Sequence, residues 1–449
     1  MDKNQINIKI RDFRAIKSAE IILDGITLVA GENGSGKSSL SKLLYYVFKT
    51  ANQFDSIVKI ELRDKLEQIT MPVTSLQREV NEFIRGYNDA SVRLSQKTLK
   101  FFGPEKLIPL DINRDLQEQE ENILTSISIL NSSIINEIKK NDSVLKDKIR
   151  RFENILRDVL SDKDEVITGT LPEILNILHN RIEKYFNEAY EKLEKRPVNL
   201  FYNSVREAFP RSGLPKRLEV SEFGITIIGD TDSISKPYII QNVAYIDTPM
   251  SLGVDSLENQ HWEDLNKILG KLAKTNNIAI NKVIQTQILN GDISLSEDKL
   301  PYTHERFIFK RADGTTFDLL DCATGVKAFA IFQLLLKSGF LNNKTLLIID
   351  EPEAHLHPQW IIEYARLIVL LNKEIGVKFF IASHNPDMVS AIKYIAEREN
   401  TLDKVNFYLS EKELDSFSYN FKHLGTDIEE IFASFNIAID RINIYGATT

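Results

Sequence analysis

One cysteine, Cys322, occurs in 449 residues. That excludes an intrachain disulfide and a cysteine-based zinc site, and it fits a reducing compartment. The 13 prolines and 19 glycines form no proline-rich linker or low-complexity segment, and no internal repeat divides the chain. Apolar runs are short: Leu367 to Leu371 is among the longest, far below the ~20 residues a bilayer-spanning helix needs. The start, Met1-Asp2-Lys3-Asn4-Gln5, has no apolar stretch behind a basic cap. A cytoplasmic protein without membrane contact is the expectation. Positive charge is not in excess either, with 56 Lys+Arg against 64 Asp+Glu and a formal net charge of -8. A generic polyanion binder is therefore excluded, and any nucleic-acid contact requires a local patch.

What is present suffices for more than one core. The chain is about three times the usual single-domain length, and 43% of it is hydrophobic, 27% charged and 9% aromatic. These proportions argue against wholesale disorder.

Ile6, Ile8 and Ile10 alternate, Ile21 to Leu23 repeat the pattern, and Ile26 to Ala30 form an apolar run, so the chain opens on strands. Leu40, Leu43, Leu44 and Val47 then share one helical face. From about 52 to 215 the texture becomes polar, glycine-poor and helical. Ile127, Leu130, Ile134, Ile138, Leu145, Ile149, Phe152 and Leu156 step by threes and fours with a gap at Asn141, as do Leu175, Leu178, Ile182, Tyr185, Ala189 and Leu193. Two amphipathic helices separated at Gly169 and Pro172 are implied. They either pair as an antiparallel hairpin, offer a seam to another chain, or cover a globular core. Residues 139 to 151 carry six Lys/Arg against Asp142 and Asp147, a solvated face or a nucleic-acid contact.

Strand texture returns at Phe223 to Gly229 and Tyr238 to Asp247. A mostly helical stretch, 255 to 290, leads to a hairpin around Asp313-Gly314. An apolar helix (Ala328 to Leu336), a strand (Thr345 to Ile349), a helix (359 to 372) and a strand (Val377 to Ala382) follow. After them come a strand-like run, Val405 to Ser410, and a helix around 427 to 440. Such alternation indicates an α/β fold with a largely parallel sheet. Residues 1–50 and 221–449 are expected to form one domain, interrupted by a helical, coiled-coil-like insertion over 51–220.

Gly31-Glu32-Asn33-Gly34-Ser35-Gly36-Lys37-Ser38 matches G-x-x-x-x-G-K-[ST] between a strand and a helix. Glycines let backbone N–H groups turn toward phosphate oxygens, the helix N-terminus adds partial positive charge, and Lys37 reaches the β- and γ-phosphates. Asn33, Gly34, Ser35, Gly36, Lys37, Ser38 and Ser39 are the candidate nucleotide-binding residues here, with Ser38 also a Mg²⁺ ligand. Leu346 to Glu351 is an apolar strand delivering two carboxylates at its C-terminal end, where open α/β sheets bind ligands. Asp350 suits Mg²⁺, directly or one layer out, and Glu351 is placed to polarise the attacking water.

Asp350-Glu351-Pro352-Glu353-Ala354-His355-Leu356-His357-Pro358 resembles the D-E-P-E-x-H-L-H-P run of the ABC-type ATPases related to SMC, RecF and the overcoming-lysogenization-defect proteins. Ile381 to Pro386 resembles their switch segment, and Asp12-Phe13-Arg14 their opening strand. The resemblance covers about residues 5–50 and 220–440. It implies an ABC-type P-loop ATPase head, ATP and Mg²⁺ as cofactors, His384 as a catalytic contact to the γ-phosphate, and Arg14 near the nucleotide. Ala323-Thr324-Gly325-Val326-Lys327 stands where the family keeps its signature loop, so Thr324, Gly325 and Lys327 are expected to cap ATP held by an opposing subunit. Val326 departs from the doubled glycine of transporters. The resemblance assigns the glutamine loop to no particular glutamine. One copy of each half-site per chain then implies a homodimer, or a higher homo-oligomer built from such dimers.

Two alternative sites are weighed lower. A zinc site from His355 and His357 with Glu351 and Glu353 competes with the nucleotide's own Mg²⁺ for the same carboxylates. Cys322 reads as a packing residue before a redox switch.

The resemblance also frames function. The overcoming-lysogenization-defect relatives append a TOPRIM nuclease after the switch histidine, whereas 65 residues follow His384 here, so the expectation is an ATPase with no nuclease activity of its own. A short ATPase split by a helical insertion looks like the ATPase subunits of the Septu and PARIS anti-phage systems. That implies a bacterial defence complex in which the ATPase controls a separate HNH or TOPRIM nuclease effector and responds to DNA or a phage-derived trigger. The alternative is a RecF- or SMC-like DNA repair or maintenance ATPase that binds DNA directly.

Overall fold

The computed structural model describes residues 6–87, 110–138, 143–161, 167–247, 252, 260–271, 278–296, 307–354 and 356–433. The chain divides into two units, one formed by Met1–Asn52 with Pro197–Thr449 and the other by Gln53–Arg196.

The first unit is built on a ten-stranded sheet. Its strands are β1 (Ile6–Phe13), β2 (Ile16–Leu23), β3 (Ile26–Ala30), β4 (Arg217–Glu222), β5 (Ile225–Ile228), β6 (Asn242–Ile246), β10 (Thr345–Asp350), β11 (Lys378–Ser383), β12 (Val405–Lys412) and β13 (Tyr419–Gly425). A separate antiparallel sheet holds β7 (Gly291–Leu295), β8 (Phe307–Arg311) and β9 (Thr316–Asp318). The large sheet runs β5-β4-β1-β2-β13-β12-β3-β11-β10-β6. From β6 to β12 all neighbours are parallel, while β1, β2, β4 and β5 form an antiparallel wing.

Burial follows from that arrangement. β3 and β10 are buried at every position, as strands covered on both faces must be, whereas β1 in the wing alternates, with Ile6, Ile8 and Ile10 inward and Lys9 and Arg11 outward. The core packs β3, β10 and β11 against three helices, α8 (Thr324–Lys337), α9 (Pro358–Ile375) and α10 (Pro386–Arg398). Phe329, Phe332, Tyr364, Ile368 and Ile392 are buried in it, each worth roughly 1.5–3 kcal/mol on transfer from water. Smaller helices, α5 (Asn199–Ala208), α6 (Gln260–Leu269) and α7 (Ile278–Val283), complete this unit.

The second unit is helical. α1 (Lys37–Tyr87) enters it after a kink at Gln53, whose φ of -99° and ψ of 16° interrupt the helix. α2 (Leu116–Ile138), α3 (Ser143–Leu160) and α4 (Leu171–Lys195) follow. Ile127, Leu130 and Ile134 of α2, Phe152 and Leu156 of α3, and Leu175, Leu178 and Ile182 of α4 are all buried, and α4 packs against both other helices. The first long apolar period therefore belongs to two helices, with Asn141 outside the described residues. Pro172 sits in the first turn of α4, where proline lacks no needed N–H. At the next turn Phe186, not Tyr185, fills the core, and Tyr185 lies half-buried under Lys65.

Three strands are additions to the sequence reading. β4, β7 and β13 are short or carry outward charges, and the Arg217-to-Glu222 alternation falls in a stretch otherwise helical in texture. The helix expected around 427–440 lies mostly outside the described residues.

Candidate nucleotide site

β3, β11 and β10 are neighbours and end on one edge of the sheet. Ala30 lies opposite Ser383, and Asp350 opposite Ala382. The loop after β3, His384 and Glu351 thus leave the sheet at nearly one level.

The loop from Gly31 to Gly36 needs its glycines at both ends. Gly36 has φ +96°, and a Cβ there would lie 2.8 Å from Ile16 Cγ1; a Cβ on Gly31 would lie 1.7 Å from the Ser410 hydroxyl. α1 starts immediately afterwards, with the Leu40 N–H donating to Gly36 O at 2.9 Å. Lys37 is 5% exposed and its ammonium donates to the carbonyls of Gly31 and Glu32, each at 2.8 Å. Burial pushes its pKa down, against the opposing pull of Asp350, Glu351 and Glu353.

A cavity of about 340 Å³ opens over this loop, within the range of small-ligand sites. Asn33, Gly34 and Gly36 line it from the loop, Lys37, Ser38 and Ser39 from the helix start, Arg14 and Ala15 from the β1–β2 turn, and Glu351 from the end of β10. Arg14 reaches it through a left-handed backbone (φ 53°), with its guanidinium 5.4 Å from the Phe209 ring centre. Ser35 is fully buried and its hydroxyl has no partner.

Asp350, the last residue of β10 and the neighbour of the cavity-lining Glu351, is 7% exposed and does not itself line the cavity. Tyr245 donates its hydroxyl to Asp350 Oδ2 at 3.3 Å, while Oδ1 is buried without a partner. Burial pushes its pKa up to about 6; the Ser38 hydroxyl favours the charged form and Glu351 opposes it. An orphaned carboxylate oxygen beside a serine hydroxyl at the foot of a glycine-rich loop fits a hard divalent cation with oxygen ligands. Glu351 has φ 50° and its Oε1 stands 3.5 Å from His384 Nδ1.

Thr324, Gly325 and Lys327 are elsewhere. They form the first turn of α8 and do not line the cavity of their own chain. Gly325 is pressed against Trp360, whose ring carbons would lie 2.3 Å from a Cβ. Thr324 is half-buried and Lys327 is 9% exposed.

The sequence profile of the AAA ATPase domain matches residues 6–389. The chain belongs to the AAA ATPase domain family. No curated protein matches it. Among solved structures it is similar to the Smc head domain of Pyrococcus furiosus with an extended coiled coil, bound to the C-terminal domain of ScpA, at 11% identity, 98% and 99% coverage of the two chains and a TM-score of 0.35. It is also similar to the SMC head domain of Thermotoga maritima, at 10% identity, 94% and 99% coverage and a TM-score of 0.36. An SmcHead bound to the C-winged helix domain of ScpA gives 12% identity, 96% and 99% coverage and a TM-score of 0.38.

Within this AAA ATPase domain, two groups escaped the sequence reading as functional residues, and a third, Glu353, was weighed only as a zinc ligand. Tyr245 lies within an apolar strand, one residue before its end, and gives no sequence signal of its contact with Asp350. Asp247, one residue beyond β6, accepts hydrogen bonds from Trp262 Nε1 at 2.6 Å and faces His261 Nε2 at 3.0 Å; the register of β6 on β10 places it level with Asp350. Glu353 is inside the D-E-P-E motif, which was its available signal. The described residues hold no cluster of three metal-ligating side chains. His355 lies outside them, and His357 caps α9 by accepting the Gln359 N–H. Burial raises the Cys322 thiol. Of the basic run, Arg150 and Arg151 are exposed on α3, and Lys139, Lys140, Lys146 and Lys148 lie outside the described side chains. No described helix is long and apolar enough to cross a membrane.

Proposed function

We propose that the protein binds ATP with Mg²⁺ and hydrolyses it at a composite site closed by a second copy. The observation that carries this reading is the convergence of the Gly31–Gly36 loop, Asp350-Glu351 and His384 on the ends of three adjacent strands. Backbone N–H groups of the loop and the first turn of α1 would cradle the phosphates, and Lys37 would exchange its two carbonyl partners for phosphate oxygens. Ser38 and Asp350 would hold Mg²⁺, which when bound neutralises phosphate charge. Arg14 would flank the nucleotide, Glu351 would accept the proton of the attacking water, and His384 would orient the γ-phosphate region. The resemblance of Ala323 to Lys327 to the family's signature loop supports giving Thr324, Gly325 and Lys327 to the nucleotide of a partner copy in a homodimer or an assembly of dimers, and their place outside their own chain's cavity agrees with it.

The finer reading rests on the sequence resemblance. ATP-driven closure would control a separate nuclease effector, HNH or TOPRIM, within a bacterial anti-phage complex, with the Gln53–Arg196 unit as the partner or oligomerisation surface. Isolation of the native protein tests it: a co-purifying small nuclease released or activated on ATP turnover is expected, and a lone monomer without such a partner contradicts it.

Two substitutions test the site itself. Lys37→Ala is expected to abolish binding of a fluorescent ATP analogue. Glu351→Gln is expected to keep binding, cut turnover by about 100-fold or more, and accumulate an ATP-bound dimer by light scattering. Normal turnover in Glu351→Gln would remove Glu351 from the chemistry.

A further inference from the structure

The turn between β1 and β2 is held in an unusual conformation. Asp12 and Arg14 both have left-handed backbones, with φ of 49° and 53°, a region that residues other than glycine seldom adopt. The segment that follows α5 holds this turn at two points. The Lys216 N–H donates to Arg11 O at 3.1 Å, and the Lys216 ammonium stands 3.4 Å from Asp12, which also pairs with Lys17 at 3.1 Å. Phe209, the residue after α5, meets the ring of Phe13 edge-on at 5.2 Å.

The Phe209 ring also serves two cations. The Arg14 guanidinium lies over it, 5.4 Å from its centre, and the Lys42 ammonium at 5.3 Å, both within reach of the negative potential of an aromatic face. Lys42 belongs to α1 and donates to Ala208 O at 3.1 Å, which ties the ring to the helix that begins at Lys37. Burial pushes the Lys42 pKa down; Asp247 opposes this and Arg14 adds to it. Phe209 is 5% exposed, whereas Arg14 is exposed and lines the cavity. A long exposed side chain samples many rotamers, and fixing one of them on binding weakens affinity. An aromatic face removes part of that loss without the drawback of a carboxylate partner. It takes no hydrogen bond from the guanidinium, so the five N–H donors and the full charge stay available to an anion.

We propose that Phe209 is a positioning residue for the nucleotide: its ring, fixed against Phe13 and α1, holds the Arg14 guanidinium at the cavity wall with its donors free for the anionic ligand. Arg14 meets the ligand, and Phe209 acts through it. The effect on nucleotide affinity rests on the ATP reading above; the contact between ring and guanidinium does not.

The test uses the full chain with Mg²⁺ and the non-hydrolysable β,γ-imido analogue of ATP, read by titration calorimetry. Replacing Phe209 by mono-, di- and trifluorophenylalanine keeps the shape of the ring and withdraws charge from its face. Affinity should fall stepwise along the series, to about three- to tenfold below wild type at its end. Phe209→Leu should match that last step, and Phe209→Tyr should stay within about twofold of wild type. In an Arg14→Ala chain the fluorinated series should be flat to within about twofold, because the cation it acts on is gone. Affinity indifferent to fluorination, or a series equally steep without Arg14, would overturn the proposal. Should Phe209→Leu fail to fold, the fluorinated series decides alone, since those rings fill the same space. Wild-type protein that does not bind the analogue would sink the ATP reading and this role with it, whereas binding that ignores fluorination would sink the role of Phe209 alone.

Discussion

Asp350 shows how a site residue is held in an unfavourable state. Its carboxyl is pushed to about 6 by burial at the end of β10, above the usual carboxylate value near 4. The nucleotide-free folded chain therefore binds this proton more tightly than the unfolded chain. The stability that protonation supplies is complete below about pH 4 and is lost as pH rises through about 6. At pH 7.5 the charged group is a net burden of at most about 3 kcal/mol for a two-unit shift. Asp350→Asn should accordingly be more stable than wild type in denaturant melts at pH 7.5 by about 1–3 kcal/mol, with the difference gone near pH 4. A variant less stable at pH 7.5 would show that a partner of the carboxylate had been overlooked. The cavity's lining was largely legible: the glycine loop, Lys37, Ser38 and Glu351, named by motif from residue type and spacing, are brought together around it. Tyr245 was not, because an aromatic residue inside an apolar strand is ordinary and only the β6–β10 pairing brings this one to Asp350.

Among the elements, the start of α8 is the most constrained. Gly325 has no room for a side chain against Trp360, and Phe329 meets the same ring at 5.5 Å. Gly325→Ala should push the first turn away from α9 and destabilise the fold by about 1–3 kcal/mol, as overpacked contacts do. Thermal melts would read it, and restoration by Trp360→Leu in the same chain would attribute the loss to this contact. Sequence texture identified the long and buried elements, since β3, β10 and α8 are apolar almost throughout. It missed β4, β7 and β13, whose alternation is brief and interrupted by charges such as Glu219 and Lys422. Nor did periodicity distinguish Tyr185 from Phe186, because adjacent positions both fall near the edge of a helical stripe.

At the scale of the whole molecule, the proposed composite site predicts a complementation signature. Lys37→Ala removes the phosphate grip, and Thr324→Glu puts a like charge where the partner's phosphates would dock. Each homodimer should be inactive. Mixed equally, half the dimers are hybrids and each hybrid retains one intact site, so hydrolysis should recover to about a quarter of wild type. No recovery on mixing would mean that the first turn of α8 serves its own chain or none. The fold class was readable from the alternation of strands and helices, but strand order was not. Pairing of β13 with β2 and of β12 with β3 joins segments roughly 400 residues apart, and nothing local encodes it.

That pairing has a consequence for biosynthesis. β3 emerges early with its phosphate loop, yet both its neighbours, β11 and β12, leave the ribosome only after about 350 further residues, a delay on the order of tens of seconds. During that interval the loop has no sheet to shape it, so nascent chains should not grip nucleotide until translation is nearly complete.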